Sequence, residues 1–324
     1  MSRLPSGYTV RPGTPADLPG VAGLLSAAHP ERPVSLETLQ RWDAGRSSEE
    51  PFQRLLIECG GRLVAFSETG VPREEDHPGW LSVEVVTLQP PLAPDLLDMA
   101  GEYARSQGAH TLMTTLHEDW WERPFYGQRG YHEHDRLWPS SLNMTGLDMG
   151  RFGEALMRAT ALGVTLRPLS SFTALADFGD VEALQRRLFS LQSAIERDVP
   201  SAVPMSEWTF ETWQRHMLPT IVPGAEVWLA VSPEGDWVAM TGPLRPMPER
   251  SATLHNGITG VLRPWRGRSL ALVLKLAAVR WALNQGYQHL RTTNHARNTP
   301  MLRINDHLGF VRETARLVLI RELQ

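Results

Sequence analysis

The sequence predicts an α/β protein of two tandem domains, each a mixed sheet covered by helices. Three observations support this prediction. Strand-like and helix-like patterns alternate along the chain, the same order of patterns occurs twice, and 324 residues are enough for two domains of ordinary size. The predicted ranges are a first domain at 1–148, a linking helix at 149–163 and a second domain at 164–324.

The repeat is visible at the start and at the end of each half. Tyr8–Pro12 and Val164–Pro168 are both short alternating segments that end in Arg-Pro and precede a helical stretch. Near its end, each half shows a strand, a loop, a short helix, a glycine, an aromatic residue and another strand. The glycines that follow predicted helices are Gly108, Gly130, Gly286 and Gly309. These similarities occur in the same order in both halves. We therefore interpret the two halves as products of a duplication.

Composition limits the classes of partner. Hydrophobic residues make up 42% and charged residues 21%, the balance of a globular protein in water. The formal net charge is -4 with both signs interspersed, which argues against a nucleic-acid surface. The start of the chain lacks the apolar core of a signal peptide, and no apolar run approaches the ~20 residues of a membrane span. We therefore expect a cytoplasmic protein with no membrane or nucleic-acid partner and no metal site.

The most informative segment joins a strand to a helix in the second half. A strand-like run at Ile258–Leu262 leads into Arg263–Ala271, after which an apolar helix begins. A tight loop at a helix N-terminus directs several unpaired N–H groups at one point, and the helix dipole adds positive charge there. Arg266 and Arg268 flank this point, and Gly267 allows close approach of the backbone. These features suit a pyrophosphate.

The segment Val261–Ala271 resembles the acetyl-CoA pyrophosphate motif of GCN5-related N-acetyltransferases. That motif follows a strand and reads Arg or Gln, two residues, Gly, one residue, then Gly or Ala. Arg266 and Ala271 match its ends, whereas Ser269 stands where the family usually has glycine. We expect the Ser269 side chain to cap the helix, since serine is a favoured N-cap residue.

Two later segments extend the resemblance. Thr293–Leu302 is similar to the family element whose asparagines contact the coenzyme, and Leu308–Phe310 is similar to its Leu-Gly-Phe signature. The resemblance covers the second half well and the whole chain more weakly. It implies two domains of mostly antiparallel sheet flanked by helices, with acetyl-CoA as cosubstrate. The residues it assigns to the coenzyme are Val261, Leu262, Arg266, Gly267, Arg268, Ser269, Leu270, Ala271, Asn294 and Asn298.

The first half lacks the corresponding loop. After the strand-like run Val83–Pro90 the chain enters Pro91–Asp95, and the stretch from strand to glycine is four residues shorter than in the second half. Prolines offer no N–H to a phosphate, and Asp95 adds negative charge. The family's general acid is often a tyrosine four residues before the late glycine. That position is Tyr126 in the first half and Asn305 in the second, and Asn305 can donate a hydrogen bond to sulfur but not a proton.

The resemblance implies direct attack of an amine on the acetyl thioester, whose carbonyl is polarised by a backbone N–H, here that of Val261. Gly260 lies in the same strand and predicts a bulge there. An ammonium nucleophile must first lose a proton, which requires a base. The candidates for this base are His255, Glu196, Asp198 and Glu207.

The region that covers the acceptor in the family corresponds to Glu196–Pro200 and Glu207–Trp213. Its acids and tryptophans, with Glu196, Asp198 and Trp208 as the pocket candidates, could receive a cationic or aromatic amine. Alternatively, the tryptophans belong to the core. We therefore expect an N-acetyltransferase for a primary amine of a small molecule. The alternatives are a non-catalytic acetyl-CoA-binding or CoA-binding regulatory protein and a mycothiol-synthase-like acetyltransferase.

Overall fold

The computed structural model describes residues 4–30, 34–72, 78–173, 181–200, 208–221, 225–247 and 250–323. The strands along the chain are β1 (Tyr8–Pro12), β2 (Phe52–Cys59), β3 (Arg62–Gly70), β4 (Trp80–Thr87), β5 (Thr111–His117), β6 (His132–Asn143), β7 (Thr165–Pro168), β8 (Glu226–Val231), β9 (Trp237–Pro246), β10 (Thr253–Val261), β11 (His289–His295), β12 (Val311–Arg312) and β13 (Arg316–Glu322). The helices are α1 (Leu18–Ala28), α2 (Leu36–Ala44), α3 (Ala93–Ser106), α4 (Arg123–Gln128), α5 (Gly153–Ala161), α6 (Ser170–Thr173), α7 (Val181–Glu196), α8 (Phe210–His216), α9 (Leu218–Ile221), α10 (Leu270–Asn284) and α11 (Thr299–Leu308).

The chain forms two compact units. The first comprises Met1–Arg136 and Thr314–Gln324, and the second comprises Leu137–Glu313. In the first unit the strands are ordered β1-β2-β3-β4-β5-β13, and β4 and β5 are the parallel pair among its described strands. Helices α1 and α3 pack on this sheet. Leu56, Phe66 and Val86 point into the core that α1 covers, because the apolar face of a strand must be buried against another element.

The second unit repeats this architecture. Its sheet is ordered β6-β11-β10-β9-β8-β7, with β12 beside β6, and β10 and β11 are the parallel pair among its described strands. Two groups of helices cover it. Helix α7 contributes Leu188 and Leu191 to a core cluster with Met240, and α10 contributes Leu276 and Val279 to another. The mixed, mostly antiparallel sheet flanked by helices that the sequence predicts is confirmed.

The units differ from the sequence-based ranges in their last strands. Strand β13, from the end of the chain, pairs with β5 in the first unit, and Leu137–Asn143 of β6 pair with β11 in the second. Each unit therefore contains a strand that the repeat assigns to the other half. The pattern of the sequence specifies that both strands exist, but strand pairing depends on partners distant in the chain. The four helix-terminating glycines have positive φ as expected.

In each unit the parallel pair is short. Strands β4 and β5 pair from Trp80 to Ser82, and β10 and β11 pair from Thr253 to His255. Beyond His255 no further pairing joins β10 to β11 within the described residues, although β10 continues to Val261. The two strands of the second unit therefore part, and the edge of β10 that faces β11 is open from that point.

The prediction of a bulge at Gly260 is wrong. The register between β10 and β9 is unbroken from Ile258 to Val261. Glycine is required for another reason: a Cβ atom at this position would lie 2.1 Å from Cγ2 of Ile195. Since van der Waals contacts between carbons lie near 3.5–4.0 Å, helix α7 can reach the strand only if residue 260 has no side chain.

This close approach leads to a stability prediction. We expect Gly260→Ala to lower the free energy of unfolding by about 3 kcal/mol, because the added methyl group overpacks the contact with Ile195. In an Ile195→Ala background the same change should cost less than about 1 kcal/mol, since space is then available. Denaturant unfolding measures both values. Gly153→Ala, where a Cβ meets no described atom within 4 Å, is the matched control. An equal cost of Gly260→Ala in both backgrounds would contradict this explanation.

Candidate functional site

The segment between β10 and α10 has the form of a tight loop at a helix N-terminus. A single 3-10 turn spans Arg263–Trp265, Gly267 has a φ of +73°, and Ser269 has a φ of +64°. A Cβ at Gly267 would meet no atom of the described residues within 4 Å. The space in front of this residue is therefore open, and its positive φ favours glycine.

The loop presents a continuous row of backbone donors. Within the described residues, the amides of six successive positions, Gly267 to Leu272, donate no backbone hydrogen bond. The first amide of the helix with an acceptor is that of Val273, which donates to the carbonyl of Ser269. Three of the donors precede α10 and three belong to its first turn, where the helix dipole places partial positive charge. This arrangement can bind an anion with several oxygens.

Two arginines of the loop are held by one carboxylate. Arg263 donates through Nε to Oδ2 of Asp198 at 2.9 Å, and an Nη of Arg266 lies 2.6 Å from the same oxygen. Nε of Arg266 also donates to the carbonyl of Val261 at 2.9 Å. The hydrogen bonds from Arg263 and then Arg266 lower the pKa of the Asp198 carboxyl. Asp198 is therefore a poor candidate for a base, and it orients the loop instead.

Arg268 differs from these two arginines. It is exposed, and its guanidinium carbon lies 5.3 Å from the centre of the Trp265 ring. At this distance the ring can orient the cation through a cation–π contact. The sequence predicted Arg266 and Arg268 at the site; it did not reveal Arg263, whose contact to Asp198 depends on a residue 65 positions away.

The predicted capping by Ser269 is wrong. Ser269 occupies the N-cap position of α10, but its side chain makes no capping hydrogen bond to the described start of the helix, and its backbone is left-handed. Left-handed backbone costs an L-residue roughly 1–2 kcal/mol. The left-handed conformation at this position favours glycine, the residue that the related motif usually has there.

A substitution tests this explanation. We expect Ser269→Gly to raise the free energy of unfolding by about 1 kcal/mol, because it relieves the left-handed strain. Ser269→Ala keeps the strain and removes only the hydroxyl group, and should change stability by less than about 0.5 kcal/mol. Thermal and denaturant unfolding distinguish the two. A loss of about 1 kcal/mol in the alanine variant would show that the hydroxyl group does cap the helix.

Val261 is the last residue of β10, at the open edge. Its neighbour Leu262 donates its N–H to the carbonyl of Val238 in β9. Because peptide groups alternate between the two sides of an antiparallel strand, the N–H of Val261 faces away from β9. Its carbonyl faces the same way and accepts from Arg266. The backbone donor predicted here thus lies at the open edge of β10, directly before the loop.

The three predicted asparagines lie at the end of β11 and on α11. Nδ2 of Asn305 donates to Oδ1 of Asn294 at 2.6 Å, and the Asn305 side chain is 1% exposed. Within the described residues, Oδ1 of Asn305 is buried and accepts no hydrogen bond. Oδ1 of Asn298 accepts from the amide of Met301 and caps α11. Asn294 and Asn305 therefore form a pair with one unused acceptor, which is the kind of atom that a ligand N–H can satisfy.

Glu196 is the last residue of α7 and follows Ile195, the residue that contacts Gly260. Its Oε1 accepts from Nε2 of Gln192 at 2.7 Å, and Oε1 of Gln192 accepts from the indole nitrogen of Trp213 at 3.0 Å. Gln192 and Trp213 are each 1% exposed. Burial raises the pKa of the Glu196 carboxyl. Gln192 was not identified from the sequence, because an amide on a helix gives no pattern of its own.

The remaining sequence candidates lie as follows. His255 is the last residue of β10 that pairs with β11, and Glu207 lies outside the described residues. Trp208 packs against the core cluster that contains Trp213, which favours the alternative that these tryptophans belong to the core.

Within the described ranges there is no group of three or more potential metal ligands, and no helix combines the length and apolarity needed to cross a bilayer.

The first unit presents no comparable row of donors in the part that the structure describes. Between β4 and α3, Pro90, Pro91 and Pro94 lack an N–H, while Leu92 and Ala93 donate to carbonyls of the preceding turn.

Tyr126, on α4, lies where β4 and β5 of the first unit part. Its buried hydroxyl group hydrogen-bonds to the Thr114 side chain of β5 and to the backbone of Val85 in β4, and burial raises its pKa. It thus bridges the two strands just beyond the point where their pairing ends.

Comparisons with known proteins identify the fold. No family model matches the chain, and no curated protein matches it. Among solved structures, a GCN5-related N-acetyltransferase from Sphaerobacter thermophilus has 19% identity and a TM-score of 0.67, covering 99% of this chain and 97% of its own. A tandem protein of the same type from the clavulanic acid biosynthesis pathway has 17% identity and a TM-score of 0.72, covering 98% and 99%. The chain has the tandem GCN5-related N-acetyltransferase fold.

A further structure matches over part of its length. The glucosamine N-acetyltransferase region of a fungal multi-domain β-N-acetylglucosaminidase has 13% identity and a TM-score of 0.68, and the match covers 98% of this chain and 38% of that one. Identities this low show the fold alone.

Proposed function

We propose that the protein is an acetyl-CoA-dependent N-acetyltransferase with its active site in the second unit, acting on a primary amine of a small molecule. The observation that carries the proposal is the row of six amides from Gly267 to Leu272, at the start of α10, that donate no backbone hydrogen bond within the described residues. In the corresponding segment of the first unit, three prolines lack an N–H and the amides of Leu92 and Ala93 donate within the preceding turn. Acetyl-CoA carries the diphosphate that such a row of amides binds.

The residues of the second unit fit this cosubstrate. The loop amides bind the diphosphate, with Arg266 and Arg268 adding charge, and the unused Oδ1 of Asn305 accepts from an amide of the pantetheine arm. The open edge of β10 beyond His255 receives the extended arm by its backbone groups. When bound, acetyl-CoA supplies an acetyl group activated as a thioester.

The residues that act on the thioester and on the acceptor amine lie at the end of β10 and the end of α7. The N–H of Val261 donates to the thioester carbonyl oxygen, where negative charge develops during attack. Glu196 removes a proton from the ammonium group of the acceptor, which makes its nitrogen nucleophilic. After attack the C–S bond breaks, and the proton then lost by the acetylated nitrogen passes to the coenzyme A thiolate, which leaves as the thiol. Its raised pKa brings this carboxylate nearer to the basicity that the step needs.

A second candidate function is binding of acetyl-CoA without turnover. The observation that favours it is Asn305, which occupies the general-acid position with a side chain that cannot supply a proton and whose nitrogen is engaged by Asn294. In that case the protein would bind the coenzyme as a carrier or a regulatory ligand.

An assay with a panel of amines distinguishes the two functions. Release of free coenzyme A thiol is measured with acetyl-CoA and each amine, and binding of acetyl-CoA is measured in parallel by calorimetry. We expect binding and amine-dependent thiol release for at least one acceptor. Binding without release from any amine favours the binder, and absence of binding contradicts both functions.

A further inference from the structure

Lys275 is the one lysine of the chain; the other residues among its 32 lysines and arginines are all arginine. It lies on α10, in the second turn after the loop, and is 1% exposed. A buried charge is costly unless it is paired. A chain that otherwise uses arginine throughout thus has its single lysine inside the helix that follows the proposed coenzyme loop.

The contacts of Lys275 among the described residues are uncharged. Its Nζ donates to Oδ1 of Asn256 at 3.1 Å and lies 5.2 Å from the centre of the Phe310 ring. Nδ2 of Asn256 donates to Oγ1 of Thr241, whose hydroxyl group is 2.7 Å from that of Thr259. Asn256 is the first residue of β10 beyond the pairing with β11. The buried amine is therefore connected by hydrogen bonds to the part of β10 at the open edge.

The charge state of this amine can change, whereas that of an arginine cannot. An arginine at this position would remain protonated at every accessible pH. Burial lowers the pKa of Lys275 to about 7, and desolvation is the cause of this shift. Among the described residues, its Nζ faces Oδ1 of Asn256 in β10 and the ring of Phe310. His255, next to Asn256 on β10, is the adjacent titratable residue. The charged residues that precede Lys275 most closely along the chain are the arginines of the loop.

We propose that Lys275 is a titrating counter-charge for the coenzyme, which takes up a proton when the anionic ligand binds at the N-terminus of α10. The inference rests on the proposed function. Lys275 lies five residues from the first residue of the helix, which is about 7.5 Å along its axis. A negative charge about 10 Å away at an effective dielectric constant of about 20 raises the pKa of an amine by about one unit. The diphosphate carries more than one such charge.

The sign of the pH dependence follows from this shift. A group whose pKa rises on binding takes up protons, so affinity is highest below the pKa of the unliganded protein and falls as pH rises through the pKa of the complex. With a pKa of about 7 and a rise of about one unit, uptake reaches about half a proton per ligand near pH 7.5. Affinity falls by up to about tenfold between pH 6.5 and pH 9.

A single lysine makes the measurement direct. Protein labelled with ¹³C at lysine Cε gives one side-chain signal, which is titrated with and without saturating coenzyme A. We expect a midpoint near pH 7 in the unliganded protein and a midpoint higher by about one unit in the complex. A midpoint that does not move when coenzyme A is bound, or one above about pH 9 in the unliganded protein, would overturn the inference.

Calorimetry in buffers of different ionisation enthalpy gives an independent reading. Coenzyme A binding to the wild-type protein should be accompanied by proton uptake near pH 7.5, and Lys275→Met should bind with no uptake above that of the ligand phosphate. Equal uptake in both proteins would assign the proton to another group, such as His255, and overturn the role of Lys275. Failure of the wild-type protein to bind coenzyme A would contradict the proposed function itself, which distinguishes the two failures.

Discussion

Replacing both Arg266 and Arg268 with glutamate is expected to weaken acetyl-CoA binding by at least about 100-fold. Hydrogen bonds to charged groups each contribute about 1.5–3 kcal/mol, and the introduced carboxylates add repulsion toward the diphosphate. The change also removes the guanidinium that lies 2.6 Å from Asp198 and places a second carboxylate beside that residue. Isothermal titration calorimetry measures the dissociation constant directly, without the need to know the acceptor.

The control for this variant makes the same change in net charge elsewhere in the second unit. Arg280 on α10 and Arg303 on α11 are both exposed, and Arg280→Glu/Arg303→Glu should weaken binding by less than about fivefold, through screened long-range repulsion alone. Similar losses in the two double variants would indicate a general charge effect. Unchanged affinity in the loop variant would remove the loop from the proposed site.

Glu196→Gln is expected to lower kcat/KM by about 100-fold or more at neutral pH, because the amide cannot accept the proton of the ammonium group. In the wild-type enzyme the rate should fall as pH decreases through the pKa of Glu196, and burial places this limb above the usual range of a glutamate. The limb should be absent in the variant. Measured pH profiles of kcat/KM for any accepted amine test this prediction.

Stability separates this effect from misfolding. A carboxyl group whose pKa is raised in the folded protein destabilises it once ionised, so stability falls as pH rises through that pKa. Glu196→Gln, which keeps an acceptor for Gln192, should therefore be no less stable than wild type at about pH 8. Glu182→Gln, at the exposed start of α7, should leave activity unchanged. An active Glu196→Gln variant with the wild-type pH profile would exclude Glu196 as the base.

The sequence predicts those parts of the site that lie close together in the chain. The loop from Arg263 to Ala271 and the helix after it follow from local patterns, since a strand, a glycine turn and an apolar helix each have a signature within a few residues. The same holds for the helix-terminating glycines and for the missing loop in the first half.

Features that depend on distant contacts could not be read from the sequence. A glycine at position 260 of a strand predicts a bulge, yet the structure requires glycine there because the side chain of Ile195 on α7 lies too close for a Cβ atom. A serine before a helix predicts a capping side chain, yet the backbone of Ser269 is left-handed, and a serine in the sequence does not predict that conformation. Asp198 and Glu196 are both acids near the end of α7, and only their partners distinguish them: arginines lower the pKa of one, and burial raises the pKa of the other.

The most direct test of the proposed site is a crystal structure with acetyl-CoA bound. The diphosphate should lie within hydrogen-bond distance of the amides that follow Arg266, with the thioester carbonyl near the N–H of Val261. A diphosphate bound elsewhere, in the first unit or on the surface, with the amides from Gly267 to Leu272 left unpaired, would contradict the assignment of the active site to the second unit.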